Sequence, residues 1–211
     1  MQRLLLVNHD SDMYSDLSKY LKENGYRNLA VDQVSTGSEA LSKLANGSYD
    51  VLVLNLTIPG TDMLGLINRL KMLNQDLPVL AYSLILEYTL IKRYLTSGVD
   101  GYCFFKKQAP EEMIKACLTI VTGKWYISPE MVELIVEDAL YNKKTDRFDS
   151  LSEREFEIFS HLVKDETPAV IAEILSVHTS TIALYKSRIM DKLRVVNLLE
   201  MKNMMKSPAL V

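Results

Sequence analysis

Four stretches of this 211-residue chain end apolar runs with polar side chains. Asn55 closes Val51-Leu-Val-Leu54, Asn8-His9-Asp10 follows Leu4-Leu-Leu-Val7, Ser83 closes Val79-Leu-Ala-Tyr82, and Lys106 follows Gly101-Tyr-Cys-Phe-Phe105. Apolar runs without polar alternation read as parallel strands covered by helices on both faces. Open parallel sheets place ligands and chemistry beyond the carboxyl ends of their strands. Asn55 therefore stands where function is expected, but its carboxamide is uncharged and its nitrogen lone pair is delocalised, so it is a poor nucleophile. There is no Gly-rich phosphate loop, and His9, His161 and His178 are too scattered to suggest a nucleophile–base pair. Enzyme activity is not expected.

The elements that must position these residues follow from periodicity. Met13, Leu17, Tyr20 and Leu21 recur at helical spacing before Gly25; Thr36-x-x-Glu39 is a capping box; Leu66, Leu70 and Leu73 mark another helix. A further helix over about 86–96 ends at Gly98, and Pro110 opens one that ends near Gly123. Alternating with strands near 3–7, 29–34, 51–55, 79–83 and 99–106, these predict an α/β domain over 1–122. It is a doubly wound, five-stranded parallel sheet with right-handed crossovers.

Residues 123–148 change character. Trp125, Tyr126 and Ile127 lead into Ser128-Pro129, a helix start, and the polar run 141–149 reads as a linker with the boundary near residue 145. Residues 149–211 are predicted to form an all-α domain of four helices. Leu151-Ser152-x-x-Glu155-Phe156 joins a capping box to a hydrophobic staple, Thr167-Pro168 opens a second helix, a third runs from Thr179 to Leu193, and Asn197-x-x-Glu200 caps a fourth. In that last helix Leu198 and Met201 read as core, while Met204 and Met205 fit core or surface.

With 24 Lys and Arg against 27 Asp and Glu, the formal charge is −3, which is ordinary for a globular protein. No apolar run approaches the roughly 20 residues of a bilayer span, and the amino terminus lacks a signal-peptide pattern. A cytoplasmic protein with no membrane contact is expected. Cys103 and Cys117 have neither metal nor redox spacing and read as reduced core residues.

The run up to Asn55, followed by Leu-Thr-Ile-Pro59-Gly60, resembles the phosphoacceptor strand of bacterial response-regulator receiver domains, with Asn where the family has Asp. The resemblance implies a flavodoxin-like receiver. In the family, an acidic pair after the first strand binds Mg²⁺, while a hydroxyl on the fourth strand and a Lys on the fifth hold phosphate. Carried over, the pocket is Asn8, His9, Asp10, Asn55, Ser83 and Lys106. Asn8 and His9 stand in the positions of the acidic pair and are poor ligands for Mg²⁺, which prefers hard oxygen donors. No cofactor is expected, and Mg²⁺ binding should be weak or absent. Lys106 lies one residue later than usual, which implies a bulge or a shifted lysine. Phosphorylation by the usual chemistry is not expected. Weak metal binding by His9 and Asp10, a permanently active-like pocket, or a ligand other than phosphate all stay open.

The stretch from Leu151-Ser152-x-Arg154-Glu155 to Lys192-Leu193 resembles the terminal domain of NarL/FixJ/LuxR-type response regulators. That implies a helix-turn-helix binding double-stranded DNA, as a dimer on two-fold-related sites. The helical spacing of Ile182, Tyr185, Ile189 and Leu193 turns them inward and Ser180, Ala183, Leu184, Ser187, Arg188 and Asp191 outward. By the resemblance, Thr179, Ser180, Thr181, Ala183, Leu184, Tyr185, Lys186, Ser187, Arg188 and Lys192 form the DNA-binding set. Within it Ala183, Leu184 and Ser187 face bases, and Lys186, Arg188 and Lys192 face phosphates. Family members often carry Lys where Ala183 stands and His where Tyr185 stands, so base readout here would rest on hydroxyls and apolar contact with thymine methyls. Local charge agrees, because basic residues outnumber acidic ones over 178–206 whereas the preceding helices are acidic. A homodimer is expected, with contacts on the helix over 111–121, around Trp125 and Tyr126, or on the last helix; a sensor kinase or another regulator is a further candidate partner. The competing expectation is a protein-interaction module or ligand sensor that modulates a partner regulator with weak or lost DNA readout.

Overall fold

A computed structural model describes residues 2–9, 11–25, 28–84, 86, 88–106, 110–141 and 147–206. Asp10, the boundary segment 142–146 and the side chain of Met205 lie outside the described residues.

The amino-terminal domain alternates strand and helix: β1 Gln2–Val7, α1 Ser11–Glu23, β2 Leu29–Val34, α2 Gly37–Asn46, β3 Val51–Asn55, α3 Met63–Leu73, β4 Val79–Ser83, α4 Tyr88–Thr96, β5 Gly101–Phe104 and α5 Pro110–Val121. All pairs are parallel, in the order β2-β1-β3-β4-β5, with a sixth strand, β6 Tyr126–Ile127, beyond β5. The period-2 side-chain alternation of each strand feeds two cores. Leu4, Leu6, Val51 and Val53 pack with Leu17 and Leu21 of α1 and Met113, Ile114 and Ile120 of α5. Leu5, Val7, Leu52 and Leu54 pack with Ala40 of α2, Leu66, Ile67 and Leu70 of α3, and Leu90, Ile91 and Tyr94 of α4.

The sheet has six strands, which corrects the expected five. Tyr126–Ile127 forms β6, paired with Gly101 and Tyr102 of β5. Two residues are too short to show a strand period. The pairing is instead held by flanking contacts: the Ser128 amide donates to the Tyr102 carbonyl, and the Phe104 amide donates to Ser128 Oγ at 2.8 Å. The added strand covers an edge that would otherwise expose unpaired backbone groups. After it, α6 Pro129–Tyr141 lies against α4, where Asp138 accepts from Tyr88 and, at 3.2 Å, from Lys92.

The carboxyl-terminal domain holds α7 Glu153–Val163, α8 Pro168–Ile174, α9 Thr179–Leu193 and α10 Leu198–Lys206. The capping boxes at Thr36/Glu39 and Ser152/Glu155 both form, and Asn197 Oδ1 accepts from the Glu200 amide. Phe148, Phe156 and Phe159 form an aromatic cluster, with centroids 5.1–6.4 Å apart. Ile171, Ile182, Ile189, Leu193 and Met201 complete that core; Leu198 and Met204 are partly buried against it.

The two domains meet through α3 and α4 on one side and α7 with the turn before it on the other. Arg93 donates to the carbonyl oxygens of Phe148 and, at 2.9 Å, Leu151, and its guanidinium lies 4.3 Å from the centroid of Phe156. A small cavity between the domains is lined by Leu56, Ile58, Tyr94, Phe156, His161 and Lys164, among others.

Candidate nucleic-acid interface and the sheet-rim pocket

At the carboxyl ends of β1 and β3, Asn55 Nδ2 donates to Asn8 Oδ1 at 2.8 Å, with both side chains buried. Asn55 Oδ1 accepts from the amide of Thr57 at 2.8 Å and from its hydroxyl at 2.7 Å. Gln33 Nε2 donates to the Asn8 carbonyl at 3.0 Å. The oxygen a metal would need on Asn8 thus already accepts a hydrogen bond, and His9 offers an exposed imidazole. Neither side chain supplies the anionic oxygen that Mg²⁺, with its oxygen ligands in near-octahedral geometry, favours. Among the described residues no cluster of three His, Cys, Asp or Glu side chains could hold a metal ion.

Ser83 is buried one strand away and shares a 2.9 Å hydrogen bond with the hydroxyl of Tyr102. Lys106 does not join the pocket. The β4–β5 pairing runs unbroken from Leu80↔Gly101 to Ser83↔Phe104, and the Phe105 amide then donates to the Ser83 carbonyl. The extra residue therefore makes no bulge; it carries the lysine past the strand. Phe105 is buried with its ring edge-on to Tyr82, while Lys106 is exposed and pairs with Glu130 of α6. That partner raises the lysine's pKa and lowers that of Glu130. Sequence reasoning missed Thr57, Gln33 and Tyr102. Of these, only Tyr102 left a trace, as the one polar-tipped side chain between glycine and cysteine in an apolar strand.

The second site is the outer face of α9. The chain turns by 108° between α8 and α9, within the range of helix-turn-helix pairs. Ile182, Ile189 and Leu193 are buried and Tyr185 half-buried, which leaves Thr179, Ser180, Ala183, Leu184, Ser187 and Arg188 exposed, with Thr181 and Lys186 at the margin. The amino-terminal domain packs on α7 and the turn before it, so this face stays open.

Two of the acidic residues that precede it are buried, while Glu153, Asp165 and Glu173 are exposed. Glu157 is buried and pairs with Arg154, which also donates to the Leu175 carbonyl at 2.9 Å. Glu155 is buried too, and burial by itself would raise its pKa. Hydrogen bonds from Lys192 Nζ at 2.6 Å and the Ser152 amide at 2.8 Å outweigh that, and the carboxyl is held below its usual range. Lys192 also donates to the Ser150 carbonyl at 3.1 Å, so it ties α9 to α7 instead of pointing only outward. Lys202 pairs with Asp165. Lys186, Arg188 and Arg194 form no ion pair among the described residues; Arg188 lies 6.0 Å from the Tyr185 ring centroid.

A parallel sheet with its rim pocket and a helix-turn-helix domain on one chain define a two-domain regulator class. Residues 4–118 match the Response regulator receiver domain family and residues 149–205 the family of Bacterial regulatory proteins, luxR family. The chain belongs to the response regulators with a LuxR-type terminal domain. Response regulator GacA of Pseudomonas protegens is 27% identical over 196 residues, covering 92% of this chain and 91% of its own. Oxygen regulatory protein NreC of Staphylococcus carnosus is 32% identical over 174 residues, covering 78% and 79%. Among solved structures, the RcsB response regulator of Salmonella typhimurium superposes with a TM-score of 0.75 at 20% identity, covering 99% of this chain and 98% of its own. RcsB bound to promoter rprA does so at 0.73 and 19%, covering 98% of each.

Proposed function

We propose that this chain is a DNA-binding transcriptional regulator, acting in the cytoplasm as a homodimer on duplex DNA. Its receiver, in this proposal, takes its input by binding a sensor kinase or another regulator instead of accepting a phosphoryl group on an aspartate. The observation that carries it is the open outer face of α9, where Lys186, Arg188 and Arg194 are available to phosphates around Ala183, Leu184 and Ser187. Relatives whose structures contain promoter DNA support it, as does a structure of two RcsB dimers on DNA. The neutral Asn55–Asn8 pair supports the second half, because an amide neither attacks phosphorus nor neutralises a phosphate. No single described helix is long and apolar enough to cross a membrane.

The test is titration of the full chain against promoter fragments at two salt concentrations. A regulator shows a steep salt slope and a sequence preference. Binding that is weak and equal for every duplex would instead favour an interaction module.

A further inference from the structure

The loop between β3 and α3 runs from the sheet-rim pocket to the boundary between the domains, and it is pinned at both ends. At its start both donors of Thr57, the amide at 2.8 Å and the hydroxyl at 2.7 Å, converge on Asn55 Oδ1. At its end Asp62 caps α3 by accepting from the Gly65 amide at 2.7 Å. Thr57 itself is exposed, but the residues on either side of it, Leu56 and Ile58, are only 5% and 8% exposed. They line the cavity that Phe156, Ser160 and His161 of α7 close from the other domain. Buried side chains of the receiver and of the terminal domain accordingly belong to one contiguous apolar core.

Asn55 uses both ends of its carboxamide. Nδ2 donates to Asn8 of β1, and Oδ1 holds Thr57. An ionised carboxylate at this position would accept from Thr57 as well but has no hydrogen to give Asn8, so the amide is what joins β1 to the loop. Apolar contact between the domains is non-directional and fixes no orientation unless the surface presenting it is itself rigid. The loop lies outside the strand ladder, and the two bonds to Asn55 supply rigidity where it leaves the sheet. We propose that Asn55 and Thr57 form a latch between the domains, with Thr57 as its positioning residue. Held by the amide, Thr57 keeps Leu56 and Ile58 seated against α7 and the terminal domain docked; loss of its bonds frees the loop and undocks that domain. The receiver thereby has a route from its rim to the terminal domain that involves no phosphoryl group. The latch goes beyond the DNA-binding proposal and is read without DNA, so its failure and the failure of that proposal are separate outcomes.

The experiment is amide hydrogen exchange on the full chain. Thr57→Val keeps the shape of the side chain and the backbone donor and removes the hydroxyl, whereas Thr57→Ser keeps both donors. In Thr57→Val the amides of 156–164 should exchange about fivefold faster, the change that one net hydrogen bond makes in a local opening equilibrium. Those of β1, β2 and α9 should keep their rates, and Thr57→Ser should match the unaltered chain. Thr57 is exposed, so the variants are expected to fold, which circular dichroism checks; Thr57→Ala should repeat the pattern of Thr57→Val. Unchanged exchange at 156–164 in Thr57→Val would overturn the latch. Equal acceleration in β1 and β2 would overturn it too, because the bonds would then stabilise only the receiver. Thr57→Ser behaving like Thr57→Val would do the same, since the hydroxyl would not be what holds the loop.

Discussion

The Asn55 carboxamide donates to the Asn8 carboxamide oxygen at 2.8 Å, so a neutral pair ties β1 to β3 at the rim where the family's phosphoryl chemistry takes place. Incubation with acetyl phosphate and Mg²⁺ is expected to leave the intact mass unchanged, and a stable gain of one phosphoryl group on an aspartate would refute the proposal. Replacing the amide does not simply recreate a working site. Asn55→Asp removes the donor that Asn8 accepts and buries a carboxylate in its place. It should cost about 1–3 kcal/mol in denaturant unfolding.

Lys192 and Glu155 form the second predicted pair. Removing the ammonium in Lys192→Met leaves a buried carboxylate held by Ser152 alone. The expected loss is about 1–2 kcal/mol, kept modest because the lysine side chain is 41% exposed. The unfolding midpoint of the terminal domain should fall.

The same carboxylate sets a pH dependence. Its pKa in the folded chain lies below the usual 4.5, so its contribution is fully present above 4.5 and is lost as pH falls through the folded value. Thermal unfolding followed from pH 7 downward should show the terminal domain weakening below about pH 4.5. Glu155→Gln should flatten that dependence while lowering stability at neutral pH.

Arg93 is expected to be the clamp between the domains. Arg93→Ala removes two donors to backbone carbonyls and the contact with Phe156, a loss of about 1–3 kcal/mol. Hydrogen exchange should quicken at the amides of 148–156 without change at those of β1 and β3. Unchanged exchange at 148–156 would show that α4 does not hold the domain.

Both thiols should be silent in the native protein. Burial raises the pKa of Cys103 to about 12 and that of Cys117 further still, which leaves almost no thiolate at pH 8. A thiol reagent should detect none before denaturation and two after it.

Much of the fold was legible because its signals are local. The capping pairs Thr36/Glu39 and Ser152/Glu155 lie three residues apart and form as written, and Pro110 and Pro168 open their helices where a missing amide proton costs nothing. The inward row Ile182, Ile189 and Leu193 followed from helical spacing. Where the signal was short or depended on register, it failed. Two residues cannot display a strand period, so β6 was hidden, and one extra residue in β5 could mean a bulge or an overhang until the ladder itself decided.

By its own order of residues, this chain determined two domains, their strand and helix segments, the amide at the phosphoacceptor position and the small, apolar row on α9. Only the tertiary structure decided which side chains meet: Asn55 with Asn8 across 47 positions, Lys192 with Glu155 across 37, Lys106 with Glu130 across 24. The physical reason is range. Caps and amphipathic stripes are settled within one or two turns by bonded geometry, whereas a long-range partner depends on strand register, helix docking and burial, which no short window of sequence contains.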